Sequence, residues 1–138
     1  MSIKITPDKI TKLEPNQIFV FGSNNKGIHG RGAAYDANRK FGYPWGLGEG
    51  LNNPPTCYGL PTKNKPSETL SLAQIELKVN RFINVAKAHP ELEFLVTPIG
   101  CGLAGYKTKE IAPLFRECLD MDNVCLPKSF YELLVNDK

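Results

Sequence analysis

The chain has no apolar run near the ~20 residues that a membrane-spanning helix requires, and its N-terminal Met1-Ser-Ile-Lys-Ile-Thr-Pro-Asp8 has no signal-peptide apolar core. The expected setting is therefore the cytoplasm, with no membrane partner. Cysteine is sparse: Cys57, Cys101, Cys118 and Cys125 form no C-x-x-C pair, and neither of the two histidines stands at metal-ligand spacing. That excludes a zinc ribbon and a disulfide scaffold, and leaves free thiols, no expected metal and no expected cofactor. Charge of one sign is also lacking. Seventeen Lys and Arg against 14 Asp and Glu leave a net charge of +3, and the basic residues are scattered rather than clustered. Such a surface suits a small anionic ligand but not a nucleic-acid footprint. Internal repeats, low-complexity tracts and long linkers are absent as well, so the 138 residues read as one domain, 1–138, long enough to bury a core.

What is present is a repeated arrangement of apolar run, glycine-rich loop and helix-like segment. The clearer copy is Phe94-Leu-Val-Thr-Pro-Ile-Gly-Cys-Gly-Leu-Ala-Gly-Tyr106, with a helix expected over about Thr108 to Cys118. The earlier copy is Gln17-Ile-Phe-Val-Phe-Gly22, followed by Gly27, Gly30 and Gly32 and a helix over Gly32–Lys40 that stops at Gly42. Strand, glycine loop and helix together aim backbone N–H groups at a phosphate. Two such loops suggest a two-sided clamp on a diphosphate.

Around them the pattern is α/β. Residues 1–16 read as a leading strand or arm, 18–21 as a buried strand, 43–55 as an irregular loop, and 56–60 as a short strand followed by a loop over 61–68. Ser71-Leu-Ala-Gln74 has the form of a capping box. Behind it Leu72, Ile75, Val79, Phe82, Ile83 and Ala86 recur at helical spacing as far as His89-Pro90. A strand is expected over 94–99, and Pro113 must fall in the first turn of the helix that follows. A last short strand over 123–126 precedes a terminal helix over 129–135. Strands alternating with helices predict a mostly parallel sheet with helices on both faces. Its ligand should lie outside the carboxyl ends of the strands.

The first loop, Gly22-Ser-Asn-Asn-Lys-Gly-Ile-His-Gly-Arg-Gly32, is neither G-x-G-x-x-G nor a Walker A sequence, which disfavours ATP hydrolysis of the P-loop type. Asn24 and Asn25 could reach ribose hydroxyls or could simply shape a turn. Arg31 could pair with a phosphate or face solvent. His29 has no acidic partner in view for a catalytic dyad. Lys63, in Pro61-Thr-Lys-Asn-Lys65, could neutralise a phosphate, act as a nucleophile or be a surface lysine. Cys101 sits between two loop glycines, where a helix N-terminus could lower its thiol pKa. Tyr35, Tyr43, Trp45 and Tyr106 could stack on a base or ribose, or anchor loops.

At these residues the chain resembles the macrodomains, the family that binds ADP-ribose, over about Gln17 to Leu126. Phe19-Val-Phe-Gly-Ser-Asn24 with Gly30-Arg-Gly-Ala-Ala34 is similar to the family's first loop, and Val96–Tyr106 is similar to its second phosphate loop. Leu60-Pro-Thr-Lys63 and Ile99-Gly-Cys-Gly-Leu103 look most like the terminal ADP-ribose protein glycohydrolase branch. The resemblance implies a three-layer α/β/α sandwich with a mixed, mostly parallel sheet. It implies ADP-ribose or a related nucleotide as ligand, with an ADP-ribosylated macromolecule as a further partner. The implied binding residues are Asn24, Gly30, Arg31, Gly32 and Ala33 in the first loop, and Gly100, Cys101, Gly102, Leu103, Ala104, Gly105 and Tyr106 in the second. Asn24 would contact the distal ribose and Tyr106 would pack on it. Lys63 falls at or beside that branch's nucleophilic lysine. Ala104 stands where the branch has its aspartate, and Asp36 and Glu49 are the nearby acids. Hydrolysis of ADP-ribosyl linkages and non-catalytic sensing or sequestration are thus both open, and RNA binding is disfavoured.

Overall fold

The computed structural model describes residues 4–101 and 104–136. It is a mixed α/β structure. Strand β1 (Gln17–Asn24) leads to helix α1 (Gly32–Phe41), and a short strand β2 (Gly50–Leu51) precedes β3 (Cys57–Lys65). Then come β4 (Glu68–Thr69), α2 (Leu72–Ala88), β5 (Glu93–Val96), α3 (Thr108–Ile111), a 3₁₀ helix (Ala112–Asp120), β6 (Val124–Cys125) and α4 (Lys128–Asn136). The six-stranded sheet has the order β2-β3-β1-β5-β6, and β4 pairs with β3 beyond β2. β1 is parallel to both of its neighbours: Val20 stands opposite Tyr58 of β3 and Val96 of β5. β5 and β6 are also parallel, while β2 and β4 run antiparallel to β3. Among the described residues no helix is long and apolar enough to cross a membrane.

The period-2 alternation of β1 divides the core. Ile18 and Val20 join Phe82 and Val79 of α2, Phe115 of the 3₁₀ helix and Phe130 of α4 in the larger buried cluster. Phe19 and Phe21 point the other way, into a smaller cluster with Ala34 and Ala37 of α1, Tyr43 and Cys57. Two alanines on α1 let the helix approach the phenylalanine rings closely. Helices thus cover both faces of the sheet.

The helix signals are met in detail. Ser71 accepts from the Gln74 N–H, and the Gln74 side chain accepts from the Ser71 N–H, which completes the capping box of α2. α1 ends at Gly42, in the left-handed conformation. Four expectations need correction. First, β3 continues through Pro61 to Lys65 and turns back into β4, where a loop over 61–68 was expected. Pro61 is tolerated because it lies in the gap between β2, opposite Tyr58 and Gly59, and β4, opposite Lys63 and Lys65. Second, β5 ends at Val96 rather than Ile99, as Pro98 breaks the run. Third, the helix expected over 108–118 is α3 followed by a 3₁₀ segment. Pro113 is in the first turn of that segment and has no N–H to continue α-helical bonding from α3. Fourth, the 43–55 loop contains β2. Among its described residues the leading arm holds a single bridge, Ile5 beside Leu126.

Glu93 at the start of β5 accepts from Gln17 Nε2 at 2.9 Å and from Lys4 Nζ at 3.4 Å. The Gln17 bond first, then the Lys4 ammonium, hold its carboxyl below the ordinary carboxylate range against an opposing effect of burial. A depressed pKa contributes stability that is present above the unfolded value, about 4.3, and is lost as pH falls through the folded one. Glu93→Gln should therefore lower thermal stability at pH 7, by up to about 1 kcal/mol for this part-exposed site. The difference from wild type should shrink on titration below about pH 4.3, as read by melting curves across pH.

Candidate functional site

Because β1 is parallel to β3 and β5, the carboxyl ends of all three strands meet at one edge of the sheet. A cleft of about 460 Å³ opens there. Its walls come from Gly22–Asn24, Ile28 and Gly30–Ala34 on one side, and from Thr62, Lys63, Pro66, Thr97–Gly100 and Ala104 on the other. Both glycine loops therefore border one cavity. Of the residues singled out in the sequence, Asn24, Gly30, Arg31, Gly32, Ala33, Lys63, Gly100 and Ala104 line it. Cys101, Gly105 and Tyr106 do not, and Gly102 and Leu103 lie outside the described residues.

α1 begins at this cleft. Its N-cap, Arg31, is extended and its side chain caps nothing. The first-turn N–H groups of Gly32, Ala33 and Ala34 have no intrahelical acceptors. They carry the positive end of the helix dipole into the cavity. Arg31 is exposed at the rim. Lys63 lies opposite, with its Nζ donating to Pro66 O at 3.0 Å at the tip of the β3–β4 hairpin. The charged side chains among the described lining residues, Arg31 and Lys63, are both cationic. Donors, dipole and the two cations give the cleft a positive electrostatic character.

The first loop is tightly determined. Asn24 is buried, and its side chain spans the turn: Nδ2 donates to Ile28 O at 2.8 Å and Oδ1 accepts from Ile28 N–H at 3.1 Å. Asn24 thus shapes the loop while one face lines the cleft. Asn25 ties the loop to the hairpin, with its N–H on Lys63 O at 2.9 Å and its Nδ2 on Asn64 Oδ1 at 3.2 Å. The Gly27 (φ +69°) carbonyl accepts from the Gly46 N–H at 2.8 Å, and a Cβ on Gly27 would lie 2.3 Å from Gly46 C. Only glycine fits that crossing. Ser23 Oγ donates to Gly48 O, which anchors the 43–48 segment over the end of β1.

The second loop is held from below. Gly100 (φ +80°) rests on Ile111, whose Cδ1 would be 2.9 Å from an added Cβ. Its carbonyl accepts from Tyr106 N–H at 2.9 Å. The Tyr106 hydroxyl donates to Leu70 O at 2.6 Å, and the ring packs against the larger core. The acids named earlier are engaged elsewhere: Glu49 pairs with Lys78 at 2.9 Å and Arg81 at 3.2 Å, and Asp36 with Lys40 at 3.8 Å. Tyr43 is wholly buried and donates to Gly50 O. Burial raises its pKa well above the ordinary phenol range. His29 is buried too.

Sequence reasoning missed a second cavity of about 790 Å³ on the far side of α1's first turn. It adjoins the cleft: Gly32, Ala33, Thr97 and Pro98 border both. Asp8, Ile10, Phe19 and Ser129 are among its walls. The sequence signal was the convergence of the arm at 6–10 with the start of the last helix, visible only once Ile5 is paired with Leu126. Ile28, Thr62 and Thr97 were also missed as lining residues, although each follows from its position at a strand end or between loop glycines. Among the described residues no cluster of His, Cys, Asp and Glu could hold a metal ion. No family model, curated protein or solved structure matches the chain.

For Cys101 the expected lowering of the thiol pKa is reversed. Burial pushes it up, and the Thr108 hydroxyl at 3.9 Å from Sγ only partly opposes this. The thiol therefore stays protonated through neutral pH. Iodoacetamide should label Cys101 slowly at pH 7.5, and labelling should rise only above the ordinary thiol value of about 8.5, as followed by peptide mass spectrometry. Fast labelling at neutral pH would contradict this assignment.

Proposed function

We propose that the protein binds ADP-ribose, or a related nucleotide that contains it, in a macrodomain-like three-layer sandwich. The observation that carries this reading is the uncapped N-terminus of α1, which lies between two adjoining cavities. In this arrangement the diphosphate lies over the N–H groups of Gly32–Ala34, bounded by Gly100 and Ala104, with Arg31 and Lys63 supplying positive charge. A nucleoside on one side of the diphosphate extends into the second cavity. Asp8 there offers an acceptor to an exocyclic amine and Phe19 an apolar surface. The distal ribose occupies the first cleft near Asn24, Thr62 and Lys63. The anion site alone would serve any phosphate; the elongated double cavity favours a ligand with a group on each side of a diphosphate.

Two readings of Lys63 follow. As a nucleophile its amine would attack the anomeric carbon of the distal ribose and would need a proton-transfer partner. As a binding group it would neutralise phosphate in a sensor or a sequestering module, whose partner could be an ADP-ribosylated macromolecule. Ala104 at the cleft wall, and Arg31 and Lys63 as the charges lining it, favour the second reading.

Calorimetry should give saturable heat with ADP-ribose and weaker heat with AMP or ribose 5-phosphate, each of which fills only part of the site. Absence of heat with all three would sink the proposal. Ala33→Asp places a carboxylate in the first turn of α1. It should leave thermal stability unchanged or slightly raised by about 0.3–1 kcal/mol, yet weaken ADP-ribose binding at least about tenfold, or 1.4 kcal/mol. Incubation with ADP-ribosylated protein decides between the readings of Lys63: release of ADP-ribose by wild type but not by Lys63→Ala supports the nucleophile, and no release by wild type leaves binding alone.

A further inference from the structure

His29 is the most constrained polar side chain in the first loop, yet nothing in the proposed binding chemistry uses it. It is 1% exposed. Its Nε2 lies 2.8 Å from Leu47 O and 3.1 Å from Pro44 O. Both neighbours are carbonyl oxygens, so Nε2 carries the proton and is shared between them. The ring is surrounded by aromatic edges: Phe21 at 5.9 Å, Tyr43 at 5.4 Å and Trp45 at 5.9 Å between centroids, all near perpendicular. Its Nδ1 is buried with no hydrogen-bond partner, so the imidazole presents one working edge, aimed at the 44–47 carbonyls.

The residues on either side of His29, Ile28 and Gly30, both line the cleft. Residues 25–31 have no helix or strand of their own. The wall that His29 grips is fixed independently, by Tyr43 on Gly50 O, by Ser23 on Gly48 O, and by Glu49 held between Lys78 and Arg81. Beside the imidazole, Gly27 and Gly46 make the one other backbone tie between the two segments among the described residues.

We propose that His29 is a positioning residue, a buried latch that fixes the first glycine loop and the start of α1 against the 43–48 wall and so sets the affinity of the anion site without touching the ligand. This rests on the ADP-ribose reading for its effect on affinity, but the latch itself can be measured without ligand. The loop's glycines leave its backbone free to explore many conformations. A binding-competent arrangement populated only in part reduces apparent affinity by that fraction. The imidazole removes that loss before the ligand arrives.

The test uses two replacements and two readouts. His29→Phe keeps a ring among Phe21, Tyr43 and Trp45 but has no N–H for Leu47 O and Pro44 O. His29→Gln keeps an N–H donor. Amide hydrogen exchange on the ligand-free protein should be faster by about tenfold, the worth of one hydrogen bond, over residues 25–31 and 43–48 of His29→Phe. The helix 72–88 should remain protected. ADP-ribose affinity by calorimetry should fall about tenfold in the same variant and recover at least partly in His29→Gln. Trp45, the one tryptophan in the chain, stands 60% exposed against the imidazole and reports the same loosening by its fluorescence. Unchanged exchange over 25–31 in His29→Phe overturns the proposal. So does a uniform rise in exchange that includes 72–88, or a loss of affinity to which glutamine makes no difference. Wild-type protein that gives no heat with ADP-ribose defeats the ligand reading instead, and the exchange data then decide the latch by themselves.

Discussion

The parallel pairing of β1 on both flanks is the constraint on which the rest depends. With Val20 beside Tyr58 on one side and Val96 on the other, the three strands end at the same edge of the sheet. Parallel strands cannot be joined by hairpins, so each connection must cross a face of the sheet. The connection from β1 to β3 carries α1 and the 43–48 segment over one face, and that from β3 to β5 carries α2 over the other. The glycine loops follow the strand ends because the chain must leave the sheet there. The site is thus a consequence of topology first and of its own residues second.

The same constraint explains why the two faces are packed so differently. The larger cluster is filled by Phe82, Phe94, Phe115 and Phe130 at edge-on or tilted contacts, and it buries long helices against the sheet. The smaller one has Phe19, Phe21 and Cys57 of the sheet beside Tyr43, and α1 buries Ala34 and Ala37 there, with Phe41 at its end packed on Phe19. Small side chains let α1 lie low over the sheet, which holds its N-terminus close to the end of β1. The aromatic rings on that face do two tasks: they bury apolar area, and through Tyr43 and His29 they determine where the 43–48 wall and the first loop meet.

Elements with a periodic apolar face were legible in the sequence. The S-x-x-Q box located the start of α2 to the residue, and Gly42 located the end of α1. The gathering of both glycine loops at one edge was legible too, because apolar runs Ile18–Phe21 and Phe94–Ile99 read as buried parallel strands. Illegible were features decided by long-range pairing. Pro61 reads as a strand breaker until the gap between β2 and β4 supplies a place that needs no N–H. Pro113 lies in the first turn of the 3₁₀ segment rather than of the helix expected from Thr108, and that change of winding is a local consequence that periodicity does not carry. Within the site, Asn24 was read as a ligand group or a turn former, and its side chain closes the turn onto Ile28. Cys101 was read from the glycines and helix beside it, whereas burial decides its thiol. His29 was read only for an acidic partner; no sequence pattern announces that Phe21, Tyr43 and Trp45 will enclose it.

A glycine-rich anion loop faces a physical conflict. Glycines allow the backbone to approach a ligand closely, and the same freedom makes the ordered loop costly in conformational entropy, about 0.5–1 kcal/mol per glycine relative to alanine. Here that cost is met by ties placed on every side of the loop except the one that faces the cavity. Asn24 closes it along the chain, Asn25 ties it to the β3–β4 hairpin, and Gly27 and His29 join it to the 43–48 wall. None of these ties consumes the first N–H groups of α1. Capping them with the usual Ser, Thr, Asp or Asn would stabilise the helix by about 1 kcal/mol. It would also occupy the donors. Arg31 at that position leaves them free of a side-chain cap and adds positive charge at the rim, so the helix keeps its first donors open at a cost to its own stability.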